Sequence, residues 1–183
     1  MLDGTMSYQK GATVRFDKID GFDEMDREEA EGVIYDILLP VCEKKGVVLT
    51  RNGNAGHAES SKSDALQAQF EGFRSTTYRT YTQLKEDRDI FDLERIQSAY
   101  TRISRDFEKK SKYCWGSYGL KHRVERLQDQ YLSNGDLIVA MLLCGHKARF
   151  GKRGSAMTLN AEFAVTEKEQ SVLEPVQKRV RRQ

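Results

Sequence analysis

Proline, cysteine and tryptophan are scarce in this chain of 183 residues, which has two, three and one of them. The three cysteines, Cys42, Cys114 and Cys144, are too few and odd in number for a disulfide-stapled secreted scaffold, and they fit a reducing compartment. No uncharged apolar run approaches the ~20 residues that cross a bilayer. The opening MLDGTMSYQKGATVRFD has no hydrophobic stretch of signal-peptide length. No membrane partner is expected, and the setting these residues suggest is intracellular, either cytoplasmic or nuclear. Collagen-like and wholly disordered classes are excluded by composition, and no repeat stands out at solenoid periods. A chain of this length buries roughly 70% of the surface it exposes when unfolded, so its stability requires neither disulfide nor metal. No cofactor is called for.

Net charge is also small: 30 basic residues stand against 28 acidic ones, a balance of +2. The balance hides a gradient. Residues 1–60 carry 7 basic and 12 acidic residues, residues 61–144 carry 14 and 12, and residues 145–183 carry 9 and 4. An acidic front and a basic back point to a polyanionic partner more than the total does.

Residues 1–12 lack periodicity and read as a flexible N-terminus, 13–166 as a single mostly helical domain, and 167–183 as a flexible basic tail. Val14, Phe16 and Ile19 are a candidate early strand. A helix is expected from Asp23 as N-cap, with Val33, Ile34, Ile37, Leu38 and Val41 at helical spacing. Pro40 should kink or end it, and Gly46 lies beyond it as a stop. Residues 47–63 read as a long polar excursion; Asn52-Gly53 suits a hairpin turn, yet no partner strand is evident. Ser63 or Asp64 should cap a second helix running to Leu84, weakened in the middle by Gly72 and Thr76-Thr77.

Asp92 should cap the clearest element, residues 93–110. Its Leu93, Ile96, Tyr100, Ile103 and Phe107 form one apolar stripe, opposite Arg95, Arg102, Arg105 and Asp106. A fourth helix is expected over 117–130. Ser133, with Asp136 three residues on, should open a fifth whose LIVAMLLC is apolar all round and therefore central. After Gly145 the period changes to alternation, predicting a late strand at about 156–165. The fold class is thus mainly α (α+β): a compact bundle of about five helices with a small β element.

Three basic segments carry the functional reading. In GHKARFGKRGS, residues 145–155, His146, Lys147, Arg149, Lys152 and Arg153 are punctuated by glycines, which let backbone N–H groups approach an anion while the cations neutralise phosphates. It is not a nucleotide-hydrolysing P-loop, because its glycine spacing and the Arg after Lys152 break G-x-x-x-x-G-K-[ST]. Residues 102–126 concentrate further cations, with Lys121, Arg123 and Arg126 closest to the loop in the chain, interleaved with Tyr113, Trp115 and Tyr118. Trp115 is read first as a core wedge between helices. The tail adds Lys178, Arg179, Arg181 and Arg182. Residues 117–130 and 133–144 have helix-turn-helix lengths, but Leu137 to Cys144 offers base edges almost no polar side chain, so weak sequence specificity is expected.

Cys114, His122, Cys144 and His146 are the one candidate Cys₂His₂ metal set, without the usual C-x₂₋₄-C spacing. His122 and Glu125, three apart on a helix, could pair as a general base or simply as a surface ion pair. Residues 117–145 resemble segments of small viral and mobile-element proteins, a likeness that brings no family name or activity. The leading expectation is a small non-enzymatic nucleic-acid-binding protein, weakly sequence-specific, contacting phosphates through the loop and tail. The first alternative is a self-assembling structural or adaptor protein that joins an acidic N-terminal surface to a basic C-terminal one. The second is a Cys/His-dependent hydrolase or metal enzyme.

Overall fold

The computed structural model describes residues 11–55, 80–153 and 156–168; for 152, 153, 156 and 157 it describes the backbone alone. Strand β1 (Ala12–Val14) leads through a 3-10 turn at Phe22–Glu24 to α1 (Arg27–Gly32). Asp26, not Asp23, is the N-cap of α1, its carboxylate accepting from the Glu29 N–H at 2.9 Å. A π-type turn, Val33–Leu38, carries α1 without a break into α2 (Leu39–Glu43). That turn explains why Pro40 does not end the helix. The Leu39 N–H bonds back five residues to Ile34, so Pro40 falls in the first turn of a fresh α-helical stretch, where its missing N–H removes no ladder bond. The helix ends at Glu43, and Gly46, at φ +72°, closes the turn just beyond it.

The segment from Val47 is a correction to the expected loop. Val47 to Thr50 are buried, and Leu49–Thr50 (β2) pairs with Gly53–Asn54 (β3) as a tight hairpin around Asn52. Its strands are too short to display alternation. Residues 56–79, which include most of the second expected helix, lie outside the described residues. Within them, α3 (Tyr81–Glu86) starts on its own capping box: Thr80 and Gln83 exchange side-chain and backbone bonds.

Helix α4 (Leu93–Asp106) is capped by Asp92 as expected, but it ends four residues early. Phe107–Lys109 extends as β4 and pairs with β10 (Val165–Glu167). Asp106 does not stand on the solvent face; it is buried and held by both Arg102 and Arg105. After β5 (Trp115–Gly116) come α5 (Ser117–Gln128) and α6 (Asn134–Leu143). Every residue of α6 is buried. Trp115 packs half-buried against the core, but from a strand paired with Phe163.

The late strand exists in pieces. Ala148–Phe150 (β6), Lys152–Arg153 (β7), Ala156–Met157 (β8), Glu162–Phe163 (β9) and β10 form small antiparallel pairings. The largest sheet has the order β1-β6-β9-β5, so of the early strand candidate Val14 lies in a strand, while Phe16 and Ile19 do not. Glu167 and Lys168, assigned to the tail by sequence, belong to this framework: Lys168 donates its N–H to the Asp106 carbonyl at 2.8 Å. The described chain is therefore α+β, with α6 at the centre of one hydrophobic core. Among the described residues no helix is long and apolar enough to cross a membrane.

The hairpin and the start of α6 touch backbone to backbone. The Gly135 N–H donates to the Arg51 carbonyl at 2.9 Å, and a Cβ on Gly135 would overlap the Thr50 carbonyl oxygen. Gly119, inside α5, has open space around it. Gly135→Ala is expected to lower stability by about 1–3 kcal/mol through overpacking, while Gly119→Ala raises it by up to about 1 kcal/mol through helix propensity. Urea denaturation of both variants checks the pair; a neutral Gly135→Ala would contradict the packing.

Candidate polyanion-binding surface

Gly145, at φ +77°, ends α6 and turns the chain toward β6. That turn sends His146 inward. Its N–H bonds the Met141 carbonyl at 3.0 Å, its imidazole is buried, and its Nδ1 has no hydrogen-bond partner. Burial, helped by the Lys109 charge, depresses its pKa to about 4. His146 is therefore neutral near pH 7 and adds no charge to the loop. Lys147, next in the chain, is exposed. Arg149 projects from β6 opposite Glu162 of β9, donates to it at 2.8 Å, and lies 4.1 Å from the Tyr113 ring centroid. Lys152 and Arg153 form β7, their side chains outside the described residues. Lys178, Arg179, Arg181 and Arg182 lie outside them altogether.

The cations of residues 102–126 divide sharply. Arg102 and Arg105 are committed to Asp106. Arg123 grips Glu167 with a fork, Nη2 to Oε2 at 2.7 Å and Nε to Oε1. Lys121 is buried and donates to Glu125 at 2.8 Å. Arg126 is exposed, as are Lys109, Lys110 and Lys112, and these four have no ion pair among the described residues. Strand pairing gathers three of the exposed lysines. The Phe163–Val165 stretch is flanked on one edge by Ala148, directly after Lys147, and on the other by Lys109 and Lys110. The influence of Lys109 on the buried His146 reflects the same proximity. Among the described side chains of the site residues named from sequence, Lys147 and Arg126 are the exposed cations without an ion pair. Lys109 and Lys110 join Lys147 through long-range strand pairing, which a charge count along the chain cannot show.

A second feature lies at the opposite end of α6. The N-terminal part of α5, the turn before α6, the β2–β3 turn and the loop at Leu159–Asn160 enclose a cleft of about 760 Å³. Tyr118 and Tyr131 rim it, and the Lys121 ammonium lies 5.7 and 5.0 Å from their ring centroids. Tyr131, Arg51 and Asn134 carried no sequence signal: a tyrosine in a turn and two polar residues 83 apart in the chain form no motif.

The catalytic and metal readings lose geometric support. Cys144 is buried, 3.3 Å from the Ser104 hydroxyl, and burial pushes its thiol up to about 12. Cys114 is exposed and donates its S–H to the Val165 carbonyl at 3.0 Å. His122 does pair with Glu125, at 2.8 Å. Burial alone would raise the Glu125 pKa, but Lys121, the Leu132 N–H and His122 together hold it below the usual carboxylate range. A carboxylate so committed is a poor proton shuttle. Among the described residues no three His, Cys, Asp or Glu side chains are grouped to hold a metal ion. The chain matches no protein-family model, no curated protein and no solved structure.

The buried imidazole has a measurable consequence. The folded pKa of about 4 lies below the ordinary 6.5, so between these values the unfolded chain binds a proton that the folded chain refuses. Stability is thus lost as pH falls from about 6.5 toward 4. Asp136 works the other way, since burial raises its pKa above 3.8 and its ionisation costs stability as pH rises. Comparing wild type with His146→Leu removes that shared contribution. Between pH 7 and 4.5 the wild type is expected to lose about 2–3 kcal/mol more than the variant, read by urea denaturation at each pH. Parallel profiles would show that the imidazole is not held neutral.

Proposed function

We propose that the protein binds nucleic acid without catalysing a reaction, contacting phosphates through Lys109, Lys110, Lys112 and Lys147 and through the basic segments that flank them in sequence. The observation that carries this reading is the exposure of these lysines without ion pairs, three of them, Lys109, Lys110 and Lys147, around the Phe163–Val165 stretch. Elsewhere in the described chain most cations are neutralised internally; here they face water. Exposed ammonium groups displace condensed counterions from a phosphate backbone, giving an affinity that falls steeply with salt. Sequence reading is weak on this proposal because α6, the second helix of the possible helix-turn-helix, is wholly buried and cannot enter a groove.

One observation favours the adaptor reading as the second choice. Asp20, Asp23, Glu24, Asp26, Glu28 and Glu29 are all exposed around the start of α1, an acidic surface that a basic edge of another copy would complement. Mass in solution at low and high salt, without nucleic acid, separates the two: an assembly that salt dissolves favours the adaptor.

Titration of labelled single- and double-stranded oligonucleotides across salt concentrations tests the leading proposal. Lys109→Ala and Lys147→Ala are each expected to lower the slope of log affinity against log salt by about one. Arg123→Gln should lower thermal stability, since it releases Glu167, and leave the slope unchanged. Binding that is absent at low salt, or indifferent to salt, would overturn the proposal.

A further inference from the structure

Four large hydrophobic side chains are exposed among the described residues, and three of them rim a single cleft: Tyr118 at 57%, Tyr131 at 58% and Leu159 at 42% exposure. Scattered apolar exposure needs no explanation, but convergence on one concavity marks a binding site. At about 760 Å³ the cleft is within the ~300–1,000 Å³ range of small-ligand sites.

Its chemistry narrows the ligand. No carboxylate is among the lining residues, whereas Arg51 and Lys121 both are. Lys121 already has Glu125, whereas Arg51 acts on the buried Asp136 only through its charge and forms no ion pair among the described residues, so its N–H donors remain for an anion. The Lys121 ammonium, lying near both tyrosine rings, fills the place where an aromatic cage would take a cationic ligand. Amides provide hydrogen-bonding edges. Asn134, only 7% exposed, donates from Nδ2 to the Asn52 carbonyl at 2.8 Å and to Asn160 Oδ1 at 3.0 Å. Those two bonds fix the amide, and its Oδ1 is left buried without a partner. Such an atom is uncommon in a folded protein and marks an acceptor still to be satisfied.

We infer that this cleft takes a nucleobase: a planar heterocycle against Tyr118 and Tyr131, with its N–H edge toward the Asn134 and Asn160 amides and the attached phosphate toward Arg51. The inference deepens the nucleic-acid reading and rests on it for polymeric ligands, adding that base-bearing single strands are preferred to duplex, in which bases are stacked away from reach. A neutral sugar fits less well, since no carboxylate is there to accept from its hydroxyls. The same ring could arrive as a free nucleotide, and the test separates the two sources.

Fluorescence anisotropy compares a labelled single-stranded oligonucleotide, its abasic counterpart and the matching duplex, using wild type, Tyr118→Ala, Tyr131→Ala and Tyr118→Phe. Both tyrosines are exposed, so the alanine variants are expected to fold, which circular dichroism checks. The expected result is about tenfold weaker binding of the base-bearing single strand by each alanine variant, retention by Tyr118→Phe, and no change on abasic strand or duplex. Losses of equal size on base-bearing and abasic strands, or no loss at all, would overturn the cleft assignment while leaving the phosphate surface standing. If wild type binds no oligonucleotide at low salt, the phosphate proposal fails and adenosine monophosphate decides the cleft by nuclear magnetic resonance, with ribose 5-phosphate as control. Shifts at residues 118, 131 and 134 with the nucleotide alone retain the base site; equal shifts with both compounds, or none, remove it.

Discussion

A helix with no polar face cannot lie on a surface, and α6 is such a helix. Leu137, Ile138, Val139, Met141, Leu142 and Leu143 are completely buried, and so is Asp136 in the first turn. At ~1.5–3 kcal/mol for each large apolar side chain, their burial contributes on the order of 10 kcal/mol before chain entropy is charged. That is comparable with the whole net stability of an ordinary domain. The other elements are arranged to enclose it: α4 crosses it, α5 precedes it on a short turn, β3 meets its beginning and β6 its end. Enclosure on every side is the constraint from which the remaining geometry follows.

A buried helix still has polar ends, and satisfying them builds both candidate surfaces. At the N-terminus the Ser133 hydroxyl accepts from the Asp136 N–H at 3.0 Å. The Asp136 side chain also accepts from the Asp92 N–H at 3.2 Å, while Asp92 caps α4 through the Arg95 N–H. The two helix starts are thereby locked together, and the turn carrying Tyr131 is pinned from below by Leu132, whose N–H bonds Glu125 at 2.9 Å. Asn134 in the first turn reaches the hairpin and Asn160, completing the cleft. At the other end Gly145 bends the chain so that His146 tucks under and Lys147 emerges beside β6. The cleft and the lysine edge are thus the two mouths of one buried rod.

Legibility in the sequence followed element length. Helix α4 shows its stripe over fourteen residues and α6 its unbroken apolar run, so both were readable with their Asp92 and Ser133 caps. The hairpin was not. Two residues per strand cannot show alternation, and what holds it is tertiary: the Asn54 side chain accepts from the Val48 N–H at 3.1 Å and donates to the Thr158 carbonyl at 3.2 Å. The π-type turn that lets α1 and α2 pass through Pro40 has no composition signal either. For the candidate surfaces, charge was visible and commitment was not. Arg123 and Glu167 lie 44 residues apart, and Arg149 and Glu162 meet only because β6 and β9 pair.

Those commitments explain why the charge gradient overstates the basic surface, and they follow from side-chain shape. A guanidinium is a planar fork that matches a carboxylate with two bonds, whereas an ammonium is a compact, strongly hydrated point charge. Here Arg102 and Arg105 hold Asp106, Arg88 holds Asp36, Arg95 holds Asp92, Arg123 holds Glu167 and Arg149 holds Glu162. The cations left facing water around the Phe163–Val165 stretch are lysines. Arginines thus act mainly as staples between elements, and lysines supply the exposed field. Arg126, exposed, and Arg51 depart from that division; Arg51 is half-buried at the rim of the aromatic cleft without an ion pair among the described residues. Its charge acts on the buried Asp136, yet it makes no carboxylate hydrogen bond among the described residues, so its donors suit an oxyanion that comes from outside the chain, and its position in the cleft with Tyr118 and Tyr131 puts that anion near a ring.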